Sequence, residues 1–326
     1  MKDLCRHIQD DFQAYETVFA ETMTSSHPLL AEVLHYVHSA RGKQLRPILV
    51  LMSAALCRSI TSKTLQTAVA LELTHTASLL HDDVIDSSPT RRGKTATHVQ
   101  WSNKVAILSG DYMLAKVIST LSDIRNTTIL NIISSMSKEL TEGELLQLHA
   151  GQSMWISEKQ YNEIIEKKTA CLFAACSEAG AASAGATSRQ MTAMRNYGLH
   201  LGMCFQLKDD LLDYSDVEDL GKPTMNDVRD GKATLPLLIS LQRAAKDEAE
   251  HIRGLAEALA NNEDVNIFEA EQDIKAFVLR YDGVRYVQQE MEKHRKKALA
   301  ALSIFPDNKH KESLTALLDY AINRMK

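Results

Sequence analysis

The chain of 326 residues is poor in glycine and proline, with 13 Gly and 6 Pro. Proteins built only of β-strands need these residues at their many turns, so their scarcity argues against an all-β fold. Apolar residues recur at spacings of three and four along most of the chain, as at Leu30, Val33, Leu34 and Val37. The sequence therefore predicts an all-α fold.

The chain also lacks an excess of basic charge and a hydrophobic run long enough to span a bilayer. Its 37 Lys and Arg against 42 Asp and Glu give a net charge of −5, which argues against a nucleic-acid partner. The apolar run 47–57 is too short to cross a membrane, and the first residues are charged, unlike a signal peptide. These features predict a cytoplasmic protein.

Cysteines are few, odd in number and irregularly spaced, which predicts reduced thiols. They are Cys5, Cys57, Cys171, Cys176 and Cys204.

The organisation predicted is a single domain, residues 1–326, without internal repeats or linkers. Two polar segments, 87–95 and 215–232, interrupt the helical pattern. Capping boxes at Ser157 with Gln160 and at Thr187 with Gln190 predict long helices near 158–182 and 188–214. Beyond about residue 240 the sequence predicts amphipathic helices that contribute no chemistry.

Two aspartate clusters read Asp-Asp-x-x-Asp, a spacing that places the first and third carboxylates on one face of a helix. The residues are Asp82, Asp83 and Asp86, then Asp209, Asp210 and Asp213. A solvated acidic face is the alternative, but the flanking residues are apolar, and several carboxylates in a partly dry cleft need cations. All-oxygen ligands favour Mg²⁺, which completes its shell with water and substrate phosphate. A phosphorylated substrate is therefore predicted.

Basic residues accompany both clusters. Lys43 and Arg46 lie near a predicted helix start, where an anion is favoured. His75 lies two helical turns before Asp82, on the same face. Each of these residue types, taken alone, is more often an ordinary surface or core residue; their position beside the acidic clusters favours anion binding. The others are Arg91 and Arg92 after the first cluster, Lys222 and Lys232 after the second, and Lys168 beside Thr169.

The two aspartate clusters and the basic residues near them lie in short sequence strings that resemble those of the trans-isoprenyl diphosphate synthases, or polyprenyl synthetases. The strings, in the family's order, are GKQLRP (42–47), LHDDVIDSSPTRRG (80–93), GD (110–111), EKKTACLF (166–173), FQLKDDLLD (205–213) and GKPTMNDVRDGKATLP (221–236). The resemblance implies an all-α bundle around a central cleft, with the two motifs on opposing helices. It also implies head-to-tail prenyl transfer, in which an allylic diphosphate held by several Mg²⁺ ions ionises and isopentenyl diphosphate attacks the allylic cation.

The resemblance further implies a role for each matching residue. The direct Mg²⁺ ligands would be Asp82, Asp86 and Asp209, with Asp83, Asp210 and Asp213 as ligands or hydrogen-bond acceptors behind them. The isopentenyl diphosphate site would be Lys43, Arg46, His75 and Arg92. The allylic diphosphate contacts would be Arg91, Lys168, Lys222 and Lys232, and Thr169 and Gln206 would shield the developing cation.

One position departs from the family pattern Gly-Lys-Pro-x-Gly-x-Asp, because Met225 replaces the second glycine. Glycine often supplies a positive φ, so we expect a different local turn here and a less secure role for Lys222.

Product length depends on the residues below Asp82 on its helix. Family members that stop at fifteen carbons usually carry an aromatic residue at or beside position 77, whereas this chain has Ala77 and Ser78. The resemblance is therefore to medium and long-chain synthases such as octaprenyl diphosphate synthase, with quinone side chains of about thirty to fifty carbons. Apolar candidates for the floor of the product path are Met113, Ile133 and Met136.

Three alternatives stay open at this point: a short-chain farnesyl or geranylgeranyl diphosphate synthase, a partner-dependent or noncatalytic subunit of a heteromeric synthase, and a terpene cyclase. Small residues at 77 and 78 argue against the first, and the retained aspartates and basic residues argue against the other two. The family resemblance also implies a homodimer, and an apolar product implies transient membrane association at release.

Overall fold

The computed structural model describes residues 6–40, 42–151, 153–215, 224–261, 263 and 265–324. Within them the chain is helical apart from a two-stranded hairpin, which confirms the all-α prediction. The first elements are α1 (Gln9–Thr22), α2 (Pro28–Ser39), α3 (Leu45–Cys57), α4 (Ser62–Ile85), β1 (Thr90–Arg91), β2 (Lys94–Thr95), α5 (Thr97–Gln100), α6 (Asn103–Ile124) and α7 (Thr127–Ala150).

After these come α8 (Glu158–Ile165), a π-helical turn (Glu166–Ala170), α9 (Cys171–Ser183) and α10 (Ser188–Asp213). The chain then forms α11 (Asn226–Arg229), α12 (Leu235–Arg243), α13 (Lys246–Ala260), α14 (Ile267–Arg280), α15 (Gly283–Leu302) and α16 (Lys309–Asn323). The amphipathic helices predicted beyond residue 240 are therefore present.

The chain divides into two compact units. Unit one comprises Met1–Ser137, Leu172–Gly198 and Ala301–Ala316. Unit two comprises Lys138–Cys171, Leu199–Ala300 and Leu317–Lys326. Each aspartate cluster therefore belongs to a different unit, the first to unit one and the second to unit two.

Helix α4 forms the centre of unit one and packs against α1, α3 and α6. A capping box between Thr61 and Thr64 fixes its start, because each side chain accepts a hydrogen bond from the other residue's backbone N–H. Most of its residues from Thr67 to Ala77 are buried, which gives the helix a rigid setting. The first aspartate cluster lies at its carboxyl end.

The polar segment 87–95 forms the hairpin. Arg92 and Gly93 occupy its two-residue turn with φ of 52° and 76°, the left-handed pair of a type I′ turn. Tyr36 donates a hydrogen bond to the Thr95 carbonyl over 2.7 Å, and Lys94 donates to Ser39 Oγ over 2.8 Å. The hairpin, which sequence reasoning did not foresee, is thus attached to α2.

In unit two, Ser157 and Gln160 form the predicted capping box at the start of α8. The long helix predicted near 158–182 is interrupted, however, because the backbone widens into a π-helical turn at Glu166–Ala170. Thr187 and Gln190 exchange the expected hydrogen bonds at the start of α10, over 2.9 and 3.3 Å. The second helix start is confirmed, and the first helix is corrected to three consecutive pieces.

The four described cysteines form no disulfide bond with one another, and Cys5 lies outside the described residues. Among the described residues, one helix, Asn103–Ile124, is long and apolar enough to cross a membrane by length and composition alone. A single such helix is weak evidence for a span, because core helices of water-soluble proteins pass the same test.

A close helix contact in unit one gives a stability test. A Cβ added at Gly180 on α9 would overlap the carbonyl oxygen of Val50 on α3, whereas a Cβ at Gly254 would meet open space. We expect Gly180→Ala to lower the free energy of unfolding by about 1–3 kcal/mol through overpacking. Gly254→Ala, the matched control, should raise it by up to about 1 kcal/mol through helix propensity. Urea denaturation measures both, and equal effects would contradict the close packing.

Candidate active site

The first aspartate cluster lies at the carboxyl end of α4. Asp82 and Asp83 are in its last turn, and Asp86 caps it, donating its backbone N–H to the Asp82 carbonyl over 2.8 Å. The carboxyl end of a helix carries partial negative charge, so three carboxylates here repel both it and one another. Asp83 is buried and pairs with Arg91, whose Nε lies 2.7 Å from Oδ1. The carboxylates of Asp82 and Asp86 lie at the same negatively charged helix end, which favours binding of a cation there.

Four predicted isopentenyl diphosphate residues belong to the same unit. Burial, then the positive charges of Arg46, Arg92 and Arg91, hold the pKa of His75 well below its ordinary value. The imidazole is therefore neutral near pH 7, and the arginines supply the positive charge around it. The structure thus brings Arg46, Arg92 and His75 together, as the sequence predicted.

Lys43 lies in the loop that precedes α3, next to Gly42. A Cβ at Gly42 would lie 3.0 Å from Cζ of Arg92, so the absence of a side chain lets the guanidinium reach this loop. Arg46 lies over the ring of Phe173 at 5.1 Å. Lys43 itself is exposed.

Gly110, in the predicted GD string, also serves a close contact. A Cβ there would overlap the ring of His81, whose Nε2 forms a hydrogen bond with the Ile107 carbonyl over 3.1 Å. The glycine allows α6 to approach α4, so its role is packing.

The second cluster lies at the end of α10, and Asp210 is its buried member. Its carboxylate accepts hydrogen bonds from the Tyr161 hydroxyl and from Gln206 Nε2, the latter over 2.8 Å. Gln206 Oε1 in turn accepts from Thr169 Oγ1 over 2.8 Å. The π-helical turn and α10 are thereby joined by a continuous chain of hydrogen bonds. Thr169 and Gln206, predicted to act as a pair, are in contact.

Burial raises the pKa of Asp210 to about 7, although the hydrogen bonds from Tyr161 and Gln206 oppose this shift. Burial also raises the pKa of Asp227 to about 8, assisted by the negative charges of Asp210 and Asp213. These carboxyls crowd one another without a sufficient opposing charge. A bound divalent cation would supply it.

Asp209 contacts an arginine near the end of the chain. Arg324 Nη2 lies 2.7 Å from Asp209 Oδ1 and donates to the carbonyl of Phe205 over 2.9 Å. Its guanidinium lies 3.9 Å above the Phe205 ring and is largely buried. An internal cation therefore already faces this carboxylate.

Asp213 holds the segment that follows. Its two carboxylate oxygens accept the backbone N–H groups of Asn226 and Asp227, each over 3.0 Å, at the start of α11. The expectation of a different turn at Met225 is wrong, because Met225 itself adopts the left-handed conformation, with φ 61° and ψ 22°. Complete burial of its side chain helps to hold a conformation that costs about 1–2 kcal/mol outside glycine.

The predicted allylic diphosphate lysines differ in their surroundings. Lys168 Nζ lies 2.7 Å from Glu144 Oε2 and 3.1 Å from Gln147 Oε1, both on α7. A Cβ at Gly143 would lie 2.7 Å from the Lys168 backbone nitrogen, so α7 and the π-helical turn are in close contact. Lys232 donates its backbone N–H to the Asp227 carbonyl over 2.7 Å. Lys222 lies outside the described residues.

Left-handed non-glycine residues are concentrated in the predicted motifs. Six occur among the described residues, and four of them are Gln44, Ser87, Arg92 and Met225. Each costs conformational energy, and such outliers persist where function over-determines the backbone. The left-handed residues therefore support a functional role for the predicted motifs, as the aspartate clusters also do.

The donor set suits a hard divalent cation, since both clusters offer carboxylate oxygens alone. Among the described residues, no group of three or more His, Cys, Asp or Glu side chains converges into a ready-made cage. The carboxylates of the two clusters could hold a divalent cation whose shell is completed by water and phosphate.

Sequence reasoning missed several residues that hold the second cluster. These residues lie far from the cluster in sequence, so the spacing of residues near the cluster could not predict them. They are Tyr161, Lys275 and Arg324. Asp227, the seventh residue of the string 221–236, could have been found as a fourth acidic position near the cluster.

Comparison with known proteins identifies relatives across the whole chain. Residues 27–272 match the family model described as "Polyprenyl synthetase". An all-trans-nonaprenyl-diphosphate synthase of Rhodobacter capsulatus is 33% identical, covering 99% of this chain and 98% of that protein. Heptaprenyl diphosphate synthase component 2 of Bacillus subtilis is 32% identical, covering 96% and 88%.

Among solved structures, the polyprenyl synthase from Caulobacter crescentus, complexed with calcium and isoprenyl diphosphate, has a TM-score of 0.90. It is 35% identical, and the match covers 99% of this chain and 97% of that one. The fold is therefore shared over nearly the full length of both chains.

The hydrogen bond from Tyr161 to Asp210 gives a test with a matched control. Tyr197 also donates a buried hydroxyl, to the Leu314 carbonyl over 2.7 Å. We expect Tyr161→Phe and Tyr197→Phe each to lower unfolding free energy by about 1–2 kcal/mol, since each leaves a buried acceptor without its donor. Only Tyr161→Phe should also slow prenyl transfer, by about tenfold, because Asp210 loses its orientation. Steady-state assays with equilibrium unfolding measure both; equal activities would contradict a functional role for Tyr161.

Proposed function

Since this chain belongs to the polyprenyl synthetase family, we propose that it is a trans-polyprenyl diphosphate synthase. It elongates an allylic diphosphate with isopentenyl diphosphate and releases an all-trans polyprenyl diphosphate. The single observation that carries the proposal is the pairing, in unit one, of the aspartate cluster on α4 with a group of three arginines around a neutral His75. Carboxylates and guanidiniums in one place suit a substrate that is bound partly through metal and partly through direct ion pairs.

In this proposal, isopentenyl diphosphate binds to Lys43, Arg46, His75 and Arg92. Arginine offers planar pairs of N–H donors that match phosphate oxygens, so Arg46 and Arg92 orient the diphosphate. A neutral His75 adds a hydrogen-bond donor without another positive charge. Because the burial of His75 keeps it neutral, this donor does not titrate near physiological pH.

The allylic diphosphate is assigned to Arg91, Lys168, Lys222 and Lys232, with Mg²⁺ ions held by the aspartates. Asp82, Asp86 and Asp209 are the direct ligands; Asp83, Asp210 and Asp213 support them. When bound, Mg²⁺ neutralises negative charge on the diphosphate leaving group. Asp83 contributes by fixing Arg91, and Asp213 by fixing the start of α11.

Thr169 and Gln206 are assigned to the developing allylic cation. Their side chains are fixed to each other and to Asp210, so their oxygen dipoles are oriented before the reaction. Preorganised dipoles stabilise charge at no reorganisation cost.

We also propose that residues 1–326 act as one polyprenyl synthetase domain in a cytoplasmic homodimer. The family match runs from 27 to 272 and includes residues of both units. Exposed apolar side chains on α6, at Ile107, Leu108 and Ile118, support a surface for a second copy. An apolar product would be released through transient association with a membrane.

The product is proposed to be medium or long, about thirty to fifty carbons, suited to quinone side chains. Ala77 is buried and Ser78 partly buried on α4, and both are small. The buried side chains of Met113, Ile133 and Met136 are the candidates for the floor.

Product analysis tests the reaction. Purified protein with Mg²⁺, labelled isopentenyl diphosphate and farnesyl diphosphate should yield products that chain-length separation resolves. Asp82→Asn and Asp209→Asn should each lower the rate by two or more orders of magnitude, roughly, since each removes charge needed at the leaving group. Asp123→Asn is the control, because Asp123 is an exposed aspartate on α6 outside the motifs.

A folded protein that incorporates no label with any primer would overturn the stand-alone enzyme. It would favour the partner-dependent alternative. The name of the Bacillus subtilis relative, a component 2, is consistent with that alternative. Copurification with a second subunit that restores incorporation would then separate that alternative from a noncatalytic protein.

Ala77→Phe tests the product path. An aromatic ring below Asp82 should block elongation, so products from farnesyl diphosphate should shorten to about twenty carbons, the product of one condensation, while that first condensation keeps its rate within about threefold. Ser78→Phe serves as a second variant if Ala77→Phe proves unstable. Unchanged product length in both folded variants would place the path elsewhere.

A further inference from the structure

Lys275, on α14, is a buried lysine near the second aspartate cluster. Only 6% of it is exposed, which is rare for this residue type. Its Nζ donates to the backbone carbonyl of Ser215 over 3.1 Å and to Thr224 Oγ1 over 2.9 Å. Its charge also acts on the carboxylate of Asp213. Placing an ammonium here is costly, so the contacts that it makes need an explanation.

The two hydrogen-bond acceptors occupy special positions along the chain. Ser215 follows Asp213 by two residues, and Thr224 immediately precedes Met225. Because one nitrogen reaches both oxygens, these oxygens lie no more than about 6 Å apart. Eight residues, 216–223, separate them in sequence and include Lys222. A single side chain therefore joins the two ends of that segment.

Helix α14 makes a second contact with the chain beyond Thr224. Glu271, one turn before Lys275, accepts a hydrogen bond from Arg229 Nε over 2.7 Å. Asp213 meanwhile holds the backbone N–H groups of Asn226 and Asp227. The segment 224–229 is thus fixed at both ends, by α14 and by the second cluster.

We propose that Lys275 is a positioning residue for the allylic diphosphate, acting by tying Ser215 to Thr224 beside Asp213. The proposal rests on the proposed function, since that function assigns the second aspartate cluster to the metal-bound allylic diphosphate. Lys275 does not touch the reacting atoms in this proposal. A purely structural role is the competing explanation, and it predicts lower stability without a selective effect on one substrate.

The experiment uses the full-length protein and the variant Lys275→Met, which keeps the length of the side chain and removes the ammonium. We expect the KM for farnesyl diphosphate to rise about tenfold, because two hydrogen bonds from a charged donor are lost. The KM for isopentenyl diphosphate should stay within about twofold, since its site belongs to unit one. Lys246→Met, which removes an exposed lysine from α13, is the charge-matched control and should change neither constant.

A second readout needs no catalysis. Hydrogen–deuterium exchange followed by mass spectrometry reports on residues 224–229, where Asp213 accepts the backbone N–H groups of Asn226 and Asp227. Lys275→Met should speed exchange in these residues about tenfold relative to the parent protein, and Lys246→Met should not. If the parent protein proved inactive, the proposed function would fall while this measurement still tested whether Lys275 holds Thr224 and the residues after it.

Thr224→Val keeps the lysine and removes one acceptor, so it tests the contact even if Lys275→Met does not fold. It should raise the KM for farnesyl diphosphate about threefold, and Lys275→Arg should retain most of the parent value. Equal rises in both KM values together with a lower Tm would overturn the proposal in favour of a structural role. Unchanged KM values and exchange rates in Lys275→Met would overturn it as well.

Discussion

Mutual repulsion among carboxylates at helix ends is the constraint on which the site depends. Each Asp-Asp-x-x-Asp cluster lies at the carboxyl end of a long helix, where the helix dipole is already negative. Burial makes the repulsion worse, as the raised pKa values of Asp210 and Asp227 show. The folded chain must therefore hold the aspartate side chains in place despite their mutual repulsion. It must also leave them accessible to cations and diphosphate.

The protein meets this constraint with a different partner for each fixed aspartate. Arg91 holds Asp83 through an ion pair, and Arg324 faces Asp209. Tyr161 holds Asp210 with a neutral hydroxyl. The backbone N–H groups at the start of α11 hold Asp213. Neutral donors orient a carboxylate without cancelling its charge, so Asp210 and Asp213 keep their attraction for a cation while their geometry is fixed.

Much of this arrangement follows from short-range patterns. The spacing of the aspartates and the capping boxes at Ser157 and Thr187 follow from local sequence, whereas the grouping of His75 with Arg46 and Arg92 was expected only from the family resemblance. Helix periodicity decides such features within one or two turns, so the sequence is sufficient to predict them.

Contacts between distant segments were not predictable in the same way. Tyr161 and Asp210 are 49 residues apart, and Lys275 and Thr224 are 51 apart, so no spacing links them. The expectation for Met225 failed for a related reason. A glycine preference describes the isolated backbone, whereas tertiary burial of the methionine side chain compensates for an unfavourable φ.

The π-helical turn shows how a local irregularity serves several contacts at once. Lys167, Lys168 and Thr169 are consecutive, yet each has its own partner: Glu142, Glu144 and Gln206 in that order. In a regular α-helix, three consecutive side chains point in widely different directions around the helix axis. The wider π-helical turn changes these directions and also shifts the register of the helix that follows. Gly143 permits the close approach that the turn requires, because any side chain there would meet the Lys168 backbone. The irregular backbone therefore brings Thr169 to Gln206 and keeps two lysines beside acidic groups, whereas an uninterrupted helix from 158 to 182 would direct these side chains differently.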